Sequence, residues 1–191
     1  MGKDELRAAV LERRRARGAD ELASAAEAIA AHLLAAPFAQ VDVVAAHLSM
    51  ATEPGTGPLL AGLHDRGTEI IVPVTGPDHS LDWVRWAPDI ATVTSSIGVP
   101  EPDGDRLGSD ALTRAGLVIV PALAVDLAGH RLGRGAGYYD RALVDVRALR
   151  CAVVFADELV GQVPHDAHDV PMDVVVTEAG VFRVPEHDPG R

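Results

Sequence analysis

Four apolar runs separated by helical segments constrain the fold of this chain more than any other feature of its sequence. The runs are I-I-V-P-V within residues 68–74, L-V-I-V-P-A-L at 117–123, C-A-V-V-F-A at 151–156 and D-V-V-V-T-E at 173–178. Strands as continuously apolar as these are typical of a sheet that is covered on both faces. Because such strands alternate with helices, we expect an α/β fold with a mostly parallel sheet. The prediction is a single-domain, three-layer α/β/α sandwich over residues 1–191.

The helices and the weaker strands follow from periodicity and from helix start and stop signals. We expect helices over residues 3–17, 20–36, 58–66, 109–115 and 138–146, and strands over residues 41–48 and, more exposed, 81–86. Asp20 is the expected N-cap of the second helix, and Gly18, Pro37 and Gly67 are expected to end helices. Residues 97–104 are expected to be a turn-rich loop, and residues 184–191 a frayed tail.

Composition excludes several classes of function. A net charge of −11 argues against binding to nucleic acid or to an anionic membrane surface. No run approaches the roughly 20 apolar residues of a membrane span, and the charged segment M-G-K-D-E-L-R lacks the apolar core of an export signal. Cys151 is the single cysteine and opens an apolar run, so we expect a buried strand residue rather than a nucleophile. We expect a cytoplasmic protein that acts on small molecules.

The run R-L-G-R-G-A-G-Y-Y-D at residues 131–140 is the strongest functional signal. Gly133, Gly135 and Gly137 leave the backbone open to close approach, and Arg131 and Arg134 supply positive charge. A helix expected to begin directly afterwards would point its amide groups at the loop. The run lacks the lysine of a P-loop and the spacing of the dinucleotide-binding motif. We interpret it as a phosphate site, in preference to a glycine-rich turn with unrelated arginines.

The same segment carries a resemblance to a known family. D-L-A-G-H-R-L-G-R-G-A-G-Y-Y-D-R, residues 126–141, resembles the signature of the 5-formyltetrahydrofolate cyclo-ligase family. The segments K-D-E-L-R at residues 3–7, L-S-M-A-T-E at 48–53 and H-D-V-P-M-D at 168–173 fit this family in the same order. The resemblance implies an enzyme that uses ATP and Mg²⁺ to convert 5-formyltetrahydrofolate to 5,10-methenyltetrahydrofolate, with release of ADP and phosphate.

The resemblance also implies roles for individual residues. Lys3 is the only lysine among 17 basic residues, and on a helix Lys3 and Arg7 share one face. Lys3 and Arg134 are the implied catalytic residues. The implied ATP contacts are Lys3, Arg7, Arg131, Leu132, Gly133, Arg134, Gly135, Ala136, Gly137, Tyr138 and Tyr139. The implied folate contacts are Leu48, Glu53, Arg134, Gly135, Ala136, Gly137 and Tyr138, and the implied magnesium ligands are Asp140 and Asp169. Many family members have Lys or Gly in place of Ala136, where a lysine would add a phosphate contact.

Some alternatives stay open from the sequence. A non-catalytic nucleotide- or folate-binding protein would have the same loop, and a sugar-phosphate isomerase or acyl-transferase would use a similar sheet without ATP. His165 and His168 suggest zinc, but no Cys–His framework accompanies them, and the nearby carboxylates suit magnesium better. Trp83 and Trp86 are three apart on a predicted strand and should face opposite sides. We expect both to serve packing.

Overall fold

The computed structural model describes residues 2–166 and 169–185. Its helices are α1 (Lys3–Ala16), α2 (Ala19–Ala35), α3 (Gly57–Asp65) and α4 (Tyr138–Ala142), and short 3-10 helices lie at Pro37–Ala39, Pro77–His79, Ser109–Arg114 and Ala156–Glu158. Its strands are β1 (Val43–Ala45), β2 (Glu69–Thr75), β3 (Leu81–Arg85), β4 (Thr92–Thr94), β5 (Pro100–Pro102), β6 (Leu117–Pro121), β7 (Ala124–Asp126), β8 (Arg131–Leu132), β9 (Leu149–Val153), β10 (Leu159–Val160), β11 (Val174–Thr177) and β12 (Gly180–Arg183).

A seven-stranded sheet forms the centre of the molecule, in the order β12-β11-β9-β6-β1-β2-β3. The five inner strands run parallel, and β3 and β12 pair antiparallel at the two edges. The register places Ala45 beside Ile71 on one side and Val118 on the other. The α/β fold with a mostly parallel sheet is therefore confirmed. The carboxyl ends of β1, β2 and β6 are neighbours, which brings the loops that follow them together.

Successive residues of β2 pack on opposite faces of the sheet, as strand geometry requires. Ile70 and Val72 join a core with α2 and α3, whereas Ile71 joins a second core that includes Leu112 and Leu143. The second face is covered largely by the 3-10 helix Ser109–Arg114 and by short segments near α4. The third layer of the predicted sandwich is therefore less regular than expected.

Several local predictions were wrong in their boundaries. Gly18 rather than Asp20 is the N-cap of α2, since the Gly18 carbonyl accepts the first bond from the Leu22 amide, and Asp20 lies in the first turn. Helix 138–146 is only five residues long, because the chain turns after Leu143 and Asp145 adopts a left-handed conformation, with φ at 63°. The expected loop at residues 97–104 contains β5, which forms a hairpin with β4.

Tertiary packing also changed the environment of predicted segments. The expected exposed strand 81–86 has Leu81, Trp83 and Val84 buried, although β3 is an edge strand. Leu81 and Trp83 are covered by the second core. Trp86 packs against the opposite core, so the two tryptophans do face opposite sides. Val184, expected to be frayed, donates its amide hydrogen to the Asp173 carbonyl at 3.0 Å. Residues 186–191 lie outside the described residues.

Candidate active site

A cleft of about 410 Å³ opens at the carboxyl ends of β1, β2 and β6. Every residue that the sequence nominated for ATP, folate or magnesium lines this cleft, although the residues come from four distant segments of the chain. These residues are Lys3, Arg7, Leu48, Glu53, the ten residues from Arg131 to Asp140, and Asp169. The expected convergence of the loops on one cleft is therefore observed. The individual roles stay predictions.

The glycine loop, residues 133–137, follows the short strand β8 and bends sharply. Gly135 has φ at 105° and Gly137 at 72°, a backbone conformation that residues with a Cβ adopt only with strain. Two guanidinium groups donate hydrogen bonds to carbonyl oxygens of the loop. Arg7 Nε donates to Gly133 O at 3.0 Å, and Arg141 Nη1 donates to Ala136 O at 3.0 Å and Gly137 O at 3.1 Å. Positive charge at this loop therefore comes from arginines, because α4 is too short to contribute a useful helix dipole.

Helix α1 brings its amino-terminal residues to the cleft. Leu6 and Val10 bury one face of α1 against Leu123 and Leu132, and Lys3 and Arg7 line the cleft. The Lys3 ammonium lies 2.6 Å from Asp166 Oδ2 and 3.1 Å from Asp169 Oδ2. The hydrogen bond to Asp166, with a further contribution from Asp169, raises the pKa of Lys3 despite its partial burial. Lys3 is therefore a charged group held at the mouth of the cleft.

Glu53 lies in a loop that is closed by hydrogen bonds between residues of the loop. The Met50 amide donates to Glu53 Oε2 at 2.9 Å, and Thr56 Oγ1 donates to His47 O at 2.8 Å. Gly55 fixes the loop against α2, because a Cβ at this position would lie 2.8 Å from Ala26 Cβ. The residue order E-P-G-T thus sets where the carboxylate points.

The electrostatic surroundings of Glu53 keep it ionised. Burial alone would raise its pKa, but His47 (in acid, where its ring is protonated), the Met50 amide and Arg134 together lower it below its ordinary value. Arg134 Nη2 lies 3.1 Å from Glu53 Oε1 and Nε lies 3.3 Å from the same oxygen. Burial lowers the pKa of His47, and the attraction of Glu53 does not overcome this, so the imidazole is neutral near pH 7.

Arg131 and Asp140 form a partly buried ion pair in the wall of the cleft. The Arg131 side chain is 4 % exposed, and its guanidinium donates to Asp140 Oδ1 and, at 2.7 Å, to Val170 O. Burial lowers the pKa of Arg131, and Asp140 opposes that shift. Arg134 is 42 % exposed and is the less constrained of the two signature arginines.

Asp140 and Asp169, the expected magnesium ligands, belong to no ready-made metal cluster among the described residues. No group of three or more His, Cys, Asp or Glu side chains suited to a metal ion occurs within residues 2–166 and 169–185. His165 stacks on His130 with ring centroids 3.4 Å apart, and His168 lies outside the described residues. Asp140 and Asp169 both line the cleft, and magnesium needs only one or two carboxylates when phosphate oxygens complete its shell.

Sequence reasoning missed five residues that shape the site: Arg14, His47, Glu101, Arg141 and Asp166. Glu101 is buried on the cleft wall and accepts hydrogen bonds from the amide and hydroxyl of Thr75 at 2.8 and 2.6 Å. Arg141 is the last residue of the signature segment 126–141 and Asp166 lies in an acidic stretch, so both had a local signal. Arg14 and Glu101 had none, because their partners are distant in sequence.

Residues 1–178 match the model of the 5-formyltetrahydrofolate cyclo-ligase family. The chain belongs to this family. A 5-formyltetrahydrofolate cyclo-ligase of Mycolicibacterium smegmatis is 36% identical over 182 residues, which cover 92% of this chain and 93% of that protein. The Escherichia coli K12 protein of the same name is 31% identical over 151 residues, 76% of this chain and 83% of that protein.

Solved structures agree with this membership in the cyclo-ligase family. The 5,10-methenyltetrahydrofolate synthetase of Aquifex aeolicus superimposes with a TM-score of 0.82 at 30% identity, over 100% of this chain and 97% of that one. The Mycoplasma pneumoniae synthetase has a TM-score of 0.75 at 17% identity, over 93% and 99% of the two chains, and shares the fold. Among the described residues no helix is long and apolar enough to cross a bilayer.

Proposed function

We propose that this chain catalyses the ATP-dependent cyclisation of 5-formyltetrahydrofolate to 5,10-methenyltetrahydrofolate, with release of ADP and phosphate. The observation that carries the proposal is the convergence of four sequence segments, each matching the cyclo-ligase pattern, on the walls of one cleft. The names of the relatives support the same reaction. We place this activity in the cytoplasm, in keeping with a single buried thiol at Cys151.

The glycine loop and the residues around it bind the triphosphate in this proposal. Gly133, Gly135 and Gly137 let phosphate oxygens approach the backbone, and Ala136 adds only a methyl group. Arg7 and Arg141 hold loop carbonyls, which counters the repulsion those carbonyls would exert on an anion. Leu132, Tyr138 and Tyr139 form the adjoining wall.

Glu53 and Leu48 bind the folate substrate in this proposal. An ionised carboxylate accepts hydrogen bonds from the amino and ring N–H groups of a reduced pterin. Leu48 lines the same cleft, and Tyr138 offers a ring to the aromatic part of the substrate. Because the pKa of Glu53 is lowered, its carboxylate is available as an acceptor throughout the neutral pH range.

The reaction requires charge neutralisation and positioning rather than a protein nucleophile. The formyl oxygen attacks the γ-phosphorus, the bond to the β,γ-bridging oxygen breaks, and ADP leaves with the electron pair. The neighbouring folate nitrogen then attacks the activated carbon and loses its proton, and the carbon–oxygen bond breaks to release phosphate. In this proposal Arg134 and Lys3 are the cations that neutralise the charge of the transferred group. The ion pair with Arg131 holds the Asp140 carboxylate in its orientation.

Asp140 and Asp169 would hold magnesium in this proposal. The ion would neutralise charge on the β- and γ-phosphates, which is the contribution such ions make to phosphoryl transfer. Asp169 also contacts Lys3, so the ammonium and the metal-binding carboxylate lie next to each other at the triphosphate end of the cleft.

The decisive experiment incubates the protein with ATP, magnesium and 5-formyltetrahydrofolate, and measures both ADP and methenyltetrahydrofolate. We expect the two products in equal amounts, with neither formed when ATP, folate or magnesium is omitted. Binding of both ligands without turnover would instead support the non-catalytic alternative. ADP formed without folate product would contradict the proposed coupling.

A further inference from the structure

Arg14 has a buried donor that the fold does not use. The residue is 1 % exposed and lies near the carboxyl end of α1. Its Nε and Nη2 donate to the two carboxylate oxygens of Glu158 at 2.7 and 2.8 Å, and Nη2 also donates to Ala122 O at 2.7 Å. Within the described part of the chain, Nη1 has no hydrogen-bond partner. An unpaired buried donor on a cation is costly, and native structures rarely keep one without a function.

The unused donor points at the carboxylate of Glu53. Arg14 Nη1 lies 3.9 Å from Glu53 Oε1, the oxygen that Arg134 occupies at 3.1 Å. The other oxygen, Oε2, accepts the Met50 amide. Two arginines therefore face one oxygen. Arg14 is fixed by three hydrogen bonds in the core, whereas Arg134 is partly exposed on the glycine loop and is free to move toward a ligand.

The structure assigns Arg14 a positioning role: its Nη1 becomes the charged partner of Glu53 when Arg134 leaves Glu53 for the phosphates of the nucleotide. This inference rests on the proposed function. Glu53 is only 8 % exposed, so without a nearby cation its burial would favour the protonated form. A protonated carboxyl would donate a hydrogen bond where the folate needs an acceptor. A shift of about 1 Å brings Oε1 within hydrogen-bond distance of Nη1.

The other groups that face Glu53 do not replace Arg134. Burial lowers the pKa of His47, so its ring carries no charge near pH 7. Burial raises the pKa of Tyr139, whose hydroxyl stays neutral, and the Met50 amide already bonds to Oε2. Arg14 is therefore the one permanent cation that remains beside Glu53, within the described residues, once Arg134 turns to the nucleotide.

The test separates this role from the anchoring of α1. Arg14→Met alone would leave Glu158 as an unpaired buried charge, so the comparison uses Glu158→Gln and the double variant Arg14→Met/Glu158→Gln. Both lack the Arg14–Glu158 ion pair. In both, the side-chain oxygen of the introduced glutamine can still accept the Phe155 amide, which Glu158 Oε2 accepts at 3.0 Å. Only the double variant lacks the guanidinium. Thermal melts confirm that each protein is folded at the assay temperature.

Folate affinity is measured by equilibrium titration with 5-formyltetrahydrofolate, with and without a non-hydrolysable ATP analogue. With the analogue bound, we expect the double variant to bind folate roughly tenfold more weakly than Glu158→Gln, equivalent to about 1.4 kcal/mol, the order of one lost hydrogen bond to a charged group. Without the analogue we expect less than about a twofold difference, because Arg134 still pairs with Glu53. At saturating ATP, the acid limb of kcat/KM for folate should move to higher pH in the double variant, with KM for ATP unchanged.

Two results would overturn the assignment. The first is that Glu158→Gln and the double variant bind folate equally well with the ATP analogue bound. The second is that the double variant binds folate more weakly by the same factor with and without the analogue, as a structural distortion would produce. In a Glu53→Gln background, the Arg14 replacement should have no further effect on folate binding. If the unaltered protein neither binds folate nor forms ADP, the proposed function fails instead, so the two failures are distinguishable.

Discussion

Replacing Arg134 with Met tests the central feature of the site. Arg134 carries its charge on a partly exposed side chain of the glycine loop, beside the carboxylate of Glu53. Removing one charged donor from a developing phosphoryl charge typically lowers kcat by roughly 10²- to 10³-fold. This corresponds to about 3–4 kcal/mol of activation free energy. We expect kcat/KM for ATP to fall by that factor in Arg134→Met.

The same substitution should cost little stability. The ion pair between Arg134 and Glu53 has one half-exposed partner, so solvent screening limits its contribution to about 0–1 kcal/mol. For a domain of this size, such a loss lowers the melting temperature by roughly 2–4 °C at most. The loss of activity should therefore be far larger than any loss of folded protein at the assay temperature.

The assay follows methenyltetrahydrofolate by its absorbance and ADP by a coupled reaction, on the same preparation used for thermal melts. Arg85→Met is the matched control, since Arg85 pairs with Glu69 at 3.0 Å on the edge strand β3 and does not line the cleft. Its activity should equal that of the parent. A loss of less than about threefold in Arg134→Met, or an equal loss in both variants, would refute the reasoning.

Three further predictions concern buried groups and the loop. Burial lowers the pKa of His47 from 6.5, so on acidification this histidine is protonated in the unfolded chain first, and the free energy of unfolding falls below about pH 6.5. His47→Asn should therefore reduce the change in the urea midpoint between about pH 7 and pH 5.5. An unchanged pH dependence in this variant would contradict the prediction. Gly135→Ala should cost roughly 1–3 kcal/mol in urea unfolding because φ is 105°, whereas Gly161→Ala in open space should be neutral. Burial raises the pKa of Cys151, so this thiol should react with a disulfide reagent only after unfolding; fast labelling of the folded protein would exclude the buried position.

The parts of the fold that could be predicted are those set by local pattern. Four apolar runs and two Ala-rich or basic helical segments were enough to predict a parallel sheet, because burial on both faces demands continuous apolar sequence. The ends of the longer helices were predicted to within a few residues. The failures lie where short segments depend on distant partners, as in the β4–β5 hairpin, the edge strand β3, and α4, which ends early because the chain turns toward the core at Leu143.

The residues of the site also fall into two groups, those that the sequence reveals and those that only the tertiary structure reveals. The glycine spacing, the lone Lys3 and the loop acid Glu53 are visible in the sequence because each is a departure from what the surrounding pattern requires. Arg14 resembles any other arginine in a basic helix, and only packing reveals that it is buried with Glu158 from the opposite end of the chain. Arg131 and Arg134 look equivalent in the signature, yet one is tied to Asp140 and the other faces the cleft.

The amino-acid sequence by itself determined the α/β class, the residue types of the glycine loop and the family to which the chain belongs, because these depend on residue type and local spacing. Tertiary structure alone decided which charges are paired, and with which partner. A guanidinium group finds its partner through space, and burial then sets how strongly that partner holds it. The different partners and burial of Arg14, Arg131 and Arg134 are therefore a property of the folded chain, not of the motif.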